Sequence, residues 1–361
     1  MPAGSAVVEL IQDKRVAAVT NADLAELLAN SAEEEEGMRQ KALRRAARSA
    51  FLWPEECADL LGAGRSLTEL HTVGPFVAGK LRAWIENAPA LEKERDPLRR
   101  DFLTMAQAKS ILARDPGWAR RLRGDLHMHT TWSDGSGTVR EMAEAGIAAG
   151  HSYISLTDHA KGLKIAGGID EAQVAEQAQE IAVANEQLAG TITVLQSIEL
   201  NLNPQGEGDM EPTCLAQLDL VLASFHSALR KTDDQTERYL AALRNPTVQI
   251  LGHPRGRVYN FRLGLSADWP RVFAEAARLD KAVEVDCYPD RQDLNVELLK
   301  LARDAGTRVS LGTDAHHASQ LGFIELGLAA TLEAGIAPNR IINFMTLPEL
   351  REWVASVRAA A

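Results

Sequence analysis

The hydrophobic pattern of the chain changes period near residue 116. Before that point apolar residues recur at helical spacing in Ala- and Leu-rich runs, at residues 21–28, 38–51 and 66–84, with almost no β-branched alternation. The pattern predicts a small all-α domain over residues 1–115. A charged, proline-containing stretch at 92–100 and then Asp115-Pro116-Gly117 supply the turn chemistry of a linker. The acidic run Glu33 to Glu36 reads as a solvated helix end or loop. From Asp125 onward short apolar runs alternate with amphipathic segments. Strands are expected at 124–127, 153–157, 192–198, 218–224, 248–251, 282–286 and 308–311. Helices are expected at 139–149, 171–188, 236–244, 269–279 and 294–305, with a shorter connection at 211–217. Strands separated mainly by helices give parallel β/α units over residues 116–361, hence either a barrel or a doubly wound sheet; periodicity does not choose between them.

Composition narrows the class. With 361 residues, 45% of them hydrophobic, the chain has the material for a large core, which excludes a disordered tail or a stapled miniprotein. No apolar run is long enough to span a bilayer, and the N-terminus has no charged region followed by an apolar one, so a cytoplasmic protein without a membrane partner is expected. Cys57, Cys214 and Cys287 are far apart and never form a C-x-x-C pair; they are expected to be reduced and buried. The net charge of -11 is unevenly spread. Residues 1–124 carry 19 Lys and Arg against 18 Asp and Glu, whereas residues 125–361 carry 20 against 32. A solvated acidic surface explains most of that excess, but carboxylates are also what a multi-cation site would use.

The chemistry gathers where the apolar runs end. The first run leads into Asp125-Leu126-His127-Met128-His129, with Asp134 beyond it; the second ends at Asp158-His159, the third at Glu199, the fourth at His226, the fifth at His253, and the seventh at Asp314 and His316. Six of the nine histidines fall at these positions, too many for chance placement. In a parallel barrel all such ends share one face, so residues nearly two hundred apart converge there. A lone strand-end histidine is often structural and a lone Asp often caps a helix, but the joint pattern overrides those readings. Imidazole and carboxylate without thiolate suit Zn, Mn or Fe. Nine such groups exceed the needs of one ion, so two or three divalent metal ions are expected, with Glu199 as the bridge, and such a cluster suits hydrolysis of phosphate esters. His71 and His151 read as ordinary, and His317 at most as a support to the ligands.

These residues also carry a family likeness. Asp125-Leu126-His127-Met128-His129-Thr130 with Ser133-Asp134-Gly135, Thr157-Asp158-His159, Ser224-Phe225-His226-Ser227, Gly252-His253-Pro254 and Gly312-Thr313-Asp314-Ala315-His316 resemble, in order, the motifs of the polymerase and histidinol phosphatase (PHP) superfamily. Gly252-His253-Pro254-Arg255-Gly256-Arg257 and Tyr288-Pro289-Asp290-Arg291 are most similar to the PHP domain of bacterial family X DNA polymerases. The resemblance covers roughly residues 123–350. It implies a distorted seven-stranded, TIM-like (β/α) barrel with a trinuclear metal centre. One ion would take His127, His129, Glu199 and Asp314, a second Glu199, His226 and His253, and a third Asp134, His159 and His316. Arg257, with Arg255 and Arg262 nearby, would suit the substrate phosphate as a catalytic residue, because a guanidinium offers bidentate donors.

The N-terminal part resembles the beginning of the same enzymes, a DNA polymerase beta-like domain. Residues 67–81, with His71-Thr72-Val73-Gly74-Pro75, look like a helix-hairpin-helix, in which backbone N–H groups approach a DNA phosphate without reading sequence. Val73, Gly74 and Lys80 are the candidate DNA-binding residues. The motif usually carries a second glycine where Thr72 stands. Arg39, Lys41, Arg44, Arg45 and Arg48 form a basic run that suits a DNA backbone or, equally, solvent. Lys80 stands where related domains carry a lyase lysine, but an exposed helical lysine is its default reading. No palm-like Asp-x-Asp segment lies between the two parts, so nucleotidyl transfer is not expected. The leading expectation is a metal-dependent phosphoesterase in DNA repair, acting as a 3'-5' exonuclease, 3'-phosphatase or abasic-site endonuclease on DNA with phosphate or abasic lesions. Its alternatives are a histidinol-phosphatase-like enzyme for a small phosphomonoester and a non-catalytic DNA-binding adaptor.

Overall fold

A computed structural model describes residues 19–89 and 95–360, in two compact units that divide between Lys93 and Glu94. The N-terminal unit holds α1 (Asn21–Glu33), α2 (Gly37–Ser49), α3 (Cys57–Gly62) and α4 (Pro75–Glu86). Thr20 starts α1 with a reciprocal capping box to Asp23. Leu24, Leu28, Leu43 and Ala46, at helical spacing on α1 and α2, are buried. The acidic run lies where expected, at the end of α1 and the turn into α2. The continuous helical run expected at 66–84 is instead broken: Leu67–Glu69 make one 3-10 turn, and α4 starts only after Gly74, with Pro75 at its first position.

The break is a turn in which Thr72 has φ 66°, the left-handed region that a β-branched residue enters only under strain. Its buried Oγ1 has no hydrogen-bond partner. Thr72→Gly is therefore expected to stabilise the helical unit by about 1 kcal/mol, after allowing for the added freedom of the unfolded chain. Chemical denaturation of the full chain checks this.

The second unit is α/β. It contains α5 (Met105–Leu112), α6 (Pro116–Ala119), α7 (Val139–Ala148), α8 (Glu171–Gln187), α9 (Pro212–Leu215), α10 (Thr236–Arg244), α11 (Trp269–Arg278), α12 (Val296–Ala305), α13 (Ile324–Ala334) and α14 (Leu347–Ala359). Its strands are β1 (Gly124–Asp125), β2 (Tyr153–Leu156), β3 (Thr193–Gln196), β4 (Glu199–Asn201), β5 (Leu222–Ser224), β6 (Ile250–Leu251), β7 (Ala282–Asp286) and β8 (Arg308–Gly312). They form two wholly parallel sheets, β1-β2-β3 and β4-β5-β6-β7-β8. The strand expected at 192–198 thus ends early at Gln196, and a new one begins at Glu199. Isolated bridges connect the two sheets at both margins, His159 to Glu199 on one side and Met128 to Ala315 on the other.

Two layers of apolar side chains hold this unit together. Val283, Val285, Val309 and Leu311 face outward onto helices such as α11, α12 and α13. Leu126, Tyr153, Leu222, Ile250 and Ala282 pack with Trp353, Val354 and Val357 of α14, which covers the N-terminal ends of the strands. Their C-terminal ends are left for chemistry.

The boundary expected at 115/116 is corrected to 93/94. Met105, Ala108 and Ile111 of α5 are buried against Leu326 and Ala329 of α13. Leu103 N–H donates to Gln292 Oε1 (2.7 Å) and Arg114 pairs with Glu333 (2.7 Å). The periodicity of α5 was correctly helical, but its apolar face belongs to the α/β unit. Residues 92–94 of the expected linker lie outside the described residues.

Among the histidines outside the strand-end set, His151 is buried, and burial lowers its pKa to about 4. An unfolded histidine titrates near 6.5, so between 6.5 and about 4 the unfolded chain binds the extra proton. Stability tied to His151 is complete above 6.5 and falls, by up to about 1.4 kcal/mol per pH unit, as pH drops through that window. His151→Leu is expected to flatten this part of the stability profile, as measured by denaturant midpoints from pH 7 to pH 4.5.

Candidate metal centre

The parallel strands deliver their C-terminal residues to one place. His127 and His129 follow β1, His159 follows β2, Glu199 opens β4, His226 follows β5, His253 follows β6, and Asp314 and His316 follow β8. All nine expected ligands, with Asp134, meet there. Glu199 is at the middle, and its two carboxylate oxygens face different imidazoles. Oε1 lies 3.0 Å from His226 Nε2 and 2.7 Å from His253 Nε2. Oε2 lies 3.5 Å from His127 Nε2, 3.6 Å from His129 Nε2 and 2.9 Å from His159 Nδ1.

Four atoms have the spacing of a coordination shell. His127 Nε2, His129 Nε2, Glu199 Oε2 and Asp314 Oδ1 are separated by 3.0 to 3.6 Å across the measured pairs. Ligands about 2.0–2.2 Å from one tetrahedral ion stand roughly 3.3–3.5 Å apart. Three groupings of ligand atoms meet the spacing for an ion: His127, His129 and Asp314; His159, Glu199 and His226; and His129, Asp134, His159 and His316. The grouping expected for the third ion therefore also includes His129, and His159 stands between it and the second.

Unmet polar atoms point the same way. His129 Nδ1 and His253 Nδ1 are buried with no hydrogen-bond partner, and Glu199 Oε2 and His159 Nδ1 face each other at 2.9 Å without forming a hydrogen bond, an arrangement that folded proteins avoid unless another group satisfies those atoms. The residues therefore fit divalent ions. Burial opposes the charge of Glu199, yet His226, His159, His253 and His127 hold it well below the ordinary carboxylate range. Asp314 is likewise held low, against burial, by His127, His129 and Arg291. Burial, followed by the neighbouring His159, pushes His129 down to about 4, which keeps its ring neutral. Ionised carboxylates and a neutral imidazole are the forms that bind metal. His316 is pushed up to about 9 when no ion competes, because its bond to Asp134 outweighs burial.

A second layer fixes these rings. Glu284 on β7 bonds His127 Nδ1 at 2.7 Å through Oε1 and accepts from His253 N at 2.6 Å through Oε2. Asn201 Oδ1 bonds His226 Nδ1, and Asp314 O bonds His316 Nδ1. Asp158 accepts from Thr130, Ser133 and Gln177, tying the loop after β1 to β2 and α8. Gly312 leaves space for this packing: a Cβ there would lie 2.3 Å from Glu284 Oε1 and 2.4 Å from His127 Cβ. Glu284 and Asn201 were missed in the sequence. The available signal was the alternation in Ala-Val-Glu-Val-Asp, which puts Glu284 and Asp286 on the face opposite Val283 and Val285.

The expectation that Arg257 grips the substrate is corrected. Its guanidinium donates to the carbonyls of Arg291 (2.7 Å), Gln292 (2.7 Å) and Asp101 (2.8 Å) and stacks 3.9 Å from the Phe102 ring centroid. Burial lowers its pKa to about 9. Its donors hold the 288–293 loop, and that loop brings Arg291 to 3.9 Å from Asp314 Oδ2 with part of its side chain exposed. In the helical unit, Val73 is buried, Gly74 caps α4 without a side-chain acceptor, and Lys80 Nζ lies 5.8 Å from both the Phe76 and Trp84 rings. The five basic residues of α2 are exposed, and among the described residues only Arg39 is ion-paired, with Glu35. Cys57 and Cys287 are buried free thiols, and Cys214 is half-buried.

Residues 125–288 match the PHP domain. The chain is 33% identical over 235 residues to the DNA polymerase/3'-5' exonuclease PolX of Bacillus subtilis, covering 65% of this chain but only 41% of that protein. It is 32% identical over 212 residues to a "probable phosphatase" of Photobacterium profundum, covering 56% of this chain and 81% of that one. The structure of histidinol phosphate phosphatase from Lactococcus lactis, complexed with zinc, L-histidinol and phosphate, aligns with a TM-score of 0.46 at 18% identity, covering 60% of this chain and 94% of that chain. With its strand-end ligands assembled and the PHP domain matched, the chain belongs to the PHP family, whose phosphatases are metal-dependent hydrolases of phosphate esters.

Proposed function

We propose that the protein hydrolyses phosphate esters in DNA at a two- or three-ion centre, as an exonuclease, 3'-phosphatase or abasic-site endonuclease. The observation that carries the reading is the division of Glu199, with one oxygen toward His226 and His253 and the other toward His127, His129 and His159. His127, His129, Glu199 and Asp314 would hold one ion, Glu199, His226 and His253 a second, and Asp134, His159 and His316 a third. Bound Mn, Zn or Fe ions supply Lewis acidity, lowering the pKa of water and offsetting phosphoryl charge. Arg291 takes the orienting role expected of Arg257, with its guanidinium beside Asp314. The two parallel sheets read together as one distorted barrel of seven strand positions, with β3 and β4 as a single interrupted strand.

The helical unit supports the DNA reading. It offers the Leu70–Gly74 turn, the uncapped start of α4 and the exposed basic face of α2 as contacts for a phosphate backbone, with Val73 and Gly74 in the turn and Lys80 further along α4. No helix is long and apolar enough to cross a membrane among the described residues. A second reading, a small phosphomonoester as substrate, is favoured by the relatives named as phosphatases, of which this chain covers most of the length.

Manganese-supplemented protein on end-labelled oligonucleotides with a 3'-hydroxyl, a 3'-phosphate or an internal abasic site, with EDTA controls, separates these readings. Metal-dependent shortening, dephosphorylation or nicking is expected. Intact DNA with rapid turnover of a small phosphomonoester would establish the second reading, and salt-sensitive DNA binding without any turnover would establish an adaptor.

A further inference from the structure

The loop after His253 puts a large apolar ring where burial does not explain it. Phe261 is 55% exposed, at the tip of a hairpin closed by paired bonds between Val258 and Arg262 (2.9 Å each). The hairpin is fixed in place. Tyr259 N–H donates to Asp290 O at 2.7 Å, Asn260 N–H donates to Leu98 O at 2.9 Å, and Arg99 donates to Asn260 Oδ1 at 3.1 Å. Beneath the tip, Tyr259 is buried edge-on to Phe102. A phenyl ring held outward on a rigid turn is a stacking platform, since the backbone gives it no route back to the core.

Positive charge surrounds this ring and leads from it to the metal centre. Arg230, four residues beyond the ligand His226, places Cζ 4.5 Å from the Phe261 ring centroid. Arg262 follows Phe261, and its Nε is anchored on Gly256 O. After burial, the charges of Arg291 and then Arg230 are the strongest influences depressing the Arg262 guanidinium, so the three arginines form one cluster. Arg291 in turn reaches Asp314. No carboxylate among the described residues pairs with Arg230 or Arg262. Asp293 acts on Arg262 in the opposite sense without forming an ion pair with it, so the Arg230 and Arg262 guanidiniums are left to face an anion at the hairpin.

We propose that the Val258–Arg262 hairpin is a nucleoside subsite beside the metal centre, where Phe261 stacks on the base next to the scissile phosphate and Arg262 and Arg230 hold the adjoining phosphate of an unpaired strand. This rests on the phosphoesterase reading and adds to it the residues that distinguish a nucleic-acid end from a small phosphomonoester.

The test uses full-length, manganese-loaded protein with two substrates, a fluorescein-labelled trithymidylate and p-nitrophenyl phosphate. Phe261→Ala is expected to raise KM for the trinucleotide about 5- to 30-fold, with Phe261→Trp restoring it, because a stacked base contributes through its π-face. Turnover of p-nitrophenyl phosphate, which has no base to stack, should change less than about twofold. Arg230→Ala should weaken the trinucleotide alone and reduce the salt dependence of its binding. Fluorescence anisotropy of the same trinucleotide in EDTA reads binding without turnover. An unchanged affinity in Phe261→Ala, or equal losses on both substrates, would overturn the subsite. Absence of metal-dependent hydrolysis of either substrate by the wild type would instead overturn the phosphoesterase reading, and the anisotropy comparison would still decide the subsite.

Discussion

Glu199→Gln should reduce metal-dependent hydrolysis by about a thousandfold or more, the scale of losing a preorganised charge at the reacting centre. Both Glu199 oxygens are in use, and neither is accessible to water. A glutamine keeps the volume but replaces one oxygen with an amide that directs N–H groups at imidazoles already 2.7 to 3.6 Å away. It also removes the negative charge to which five imidazoles are drawn. Metal content by elemental analysis should fall together with kcat/KM on bis-p-nitrophenyl phosphate, while the far-ultraviolet circular dichroism stays that of the wild type. Wild-type activity in this variant would remove Glu199 as a bridging ligand.

Glu284→Gln should weaken metal affinity about 10- to 100-fold, as expected for a carboxylate that orients a ligating imidazole. Glu284 lies under the ligands and holds two of them at once, His127 through its ring and His253 through its backbone. Burial opposes a charge on His127, but Glu284, Glu199 and Asp314 together raise its pKa well above the ordinary value, so Glu284 also sets how much electron density the ring offers an ion. A glutamine retains the carbonyl contact to one group and loses control of the His127 tautomer. Chelator competition measures the affinity. Saturating metal should recover much of kcat, which separates this positioning role from that of a direct ligand.

The sequence made the candidate ligand set legible because all of its members except Asp134 stand at or just past the end of an apolar run, so strand position and chemistry were read in one pass. Glu284 was missed for the opposite reason: β7 carries its carboxylate inside the run, with no histidine at its end. Arg257 was read as facing the substrate because its partners are the backbone carbonyls of Asp101, Arg291 and Gln292, in distant segments that no side-chain pattern encodes. The break in β3 and β4 was hidden within a continuous apolar stretch, since hydropathy registers burial and not the loss of ladder hydrogen bonds. In the helical part, the expected run at 66–84 passed over the Gly74-Pro75 start of α4, and Thr72 gave no sign of its left-handed backbone.

The segment from Pro97 to Ala113 looks like part of a connector, yet it braces the catalytic side. Asp101 supplies a carbonyl to Arg257, Leu98 one to the Phe261 hairpin, and α5 a face to α13. The portion of chain that could be inherited or transplanted as a working hydrolase is therefore longer than the portion that carries its β/α rhythm. A gene cut where the rhythm begins would remove the supports of the 288–293 loop while leaving every candidate metal ligand in place, and so would separate ion binding from the handling of substrate.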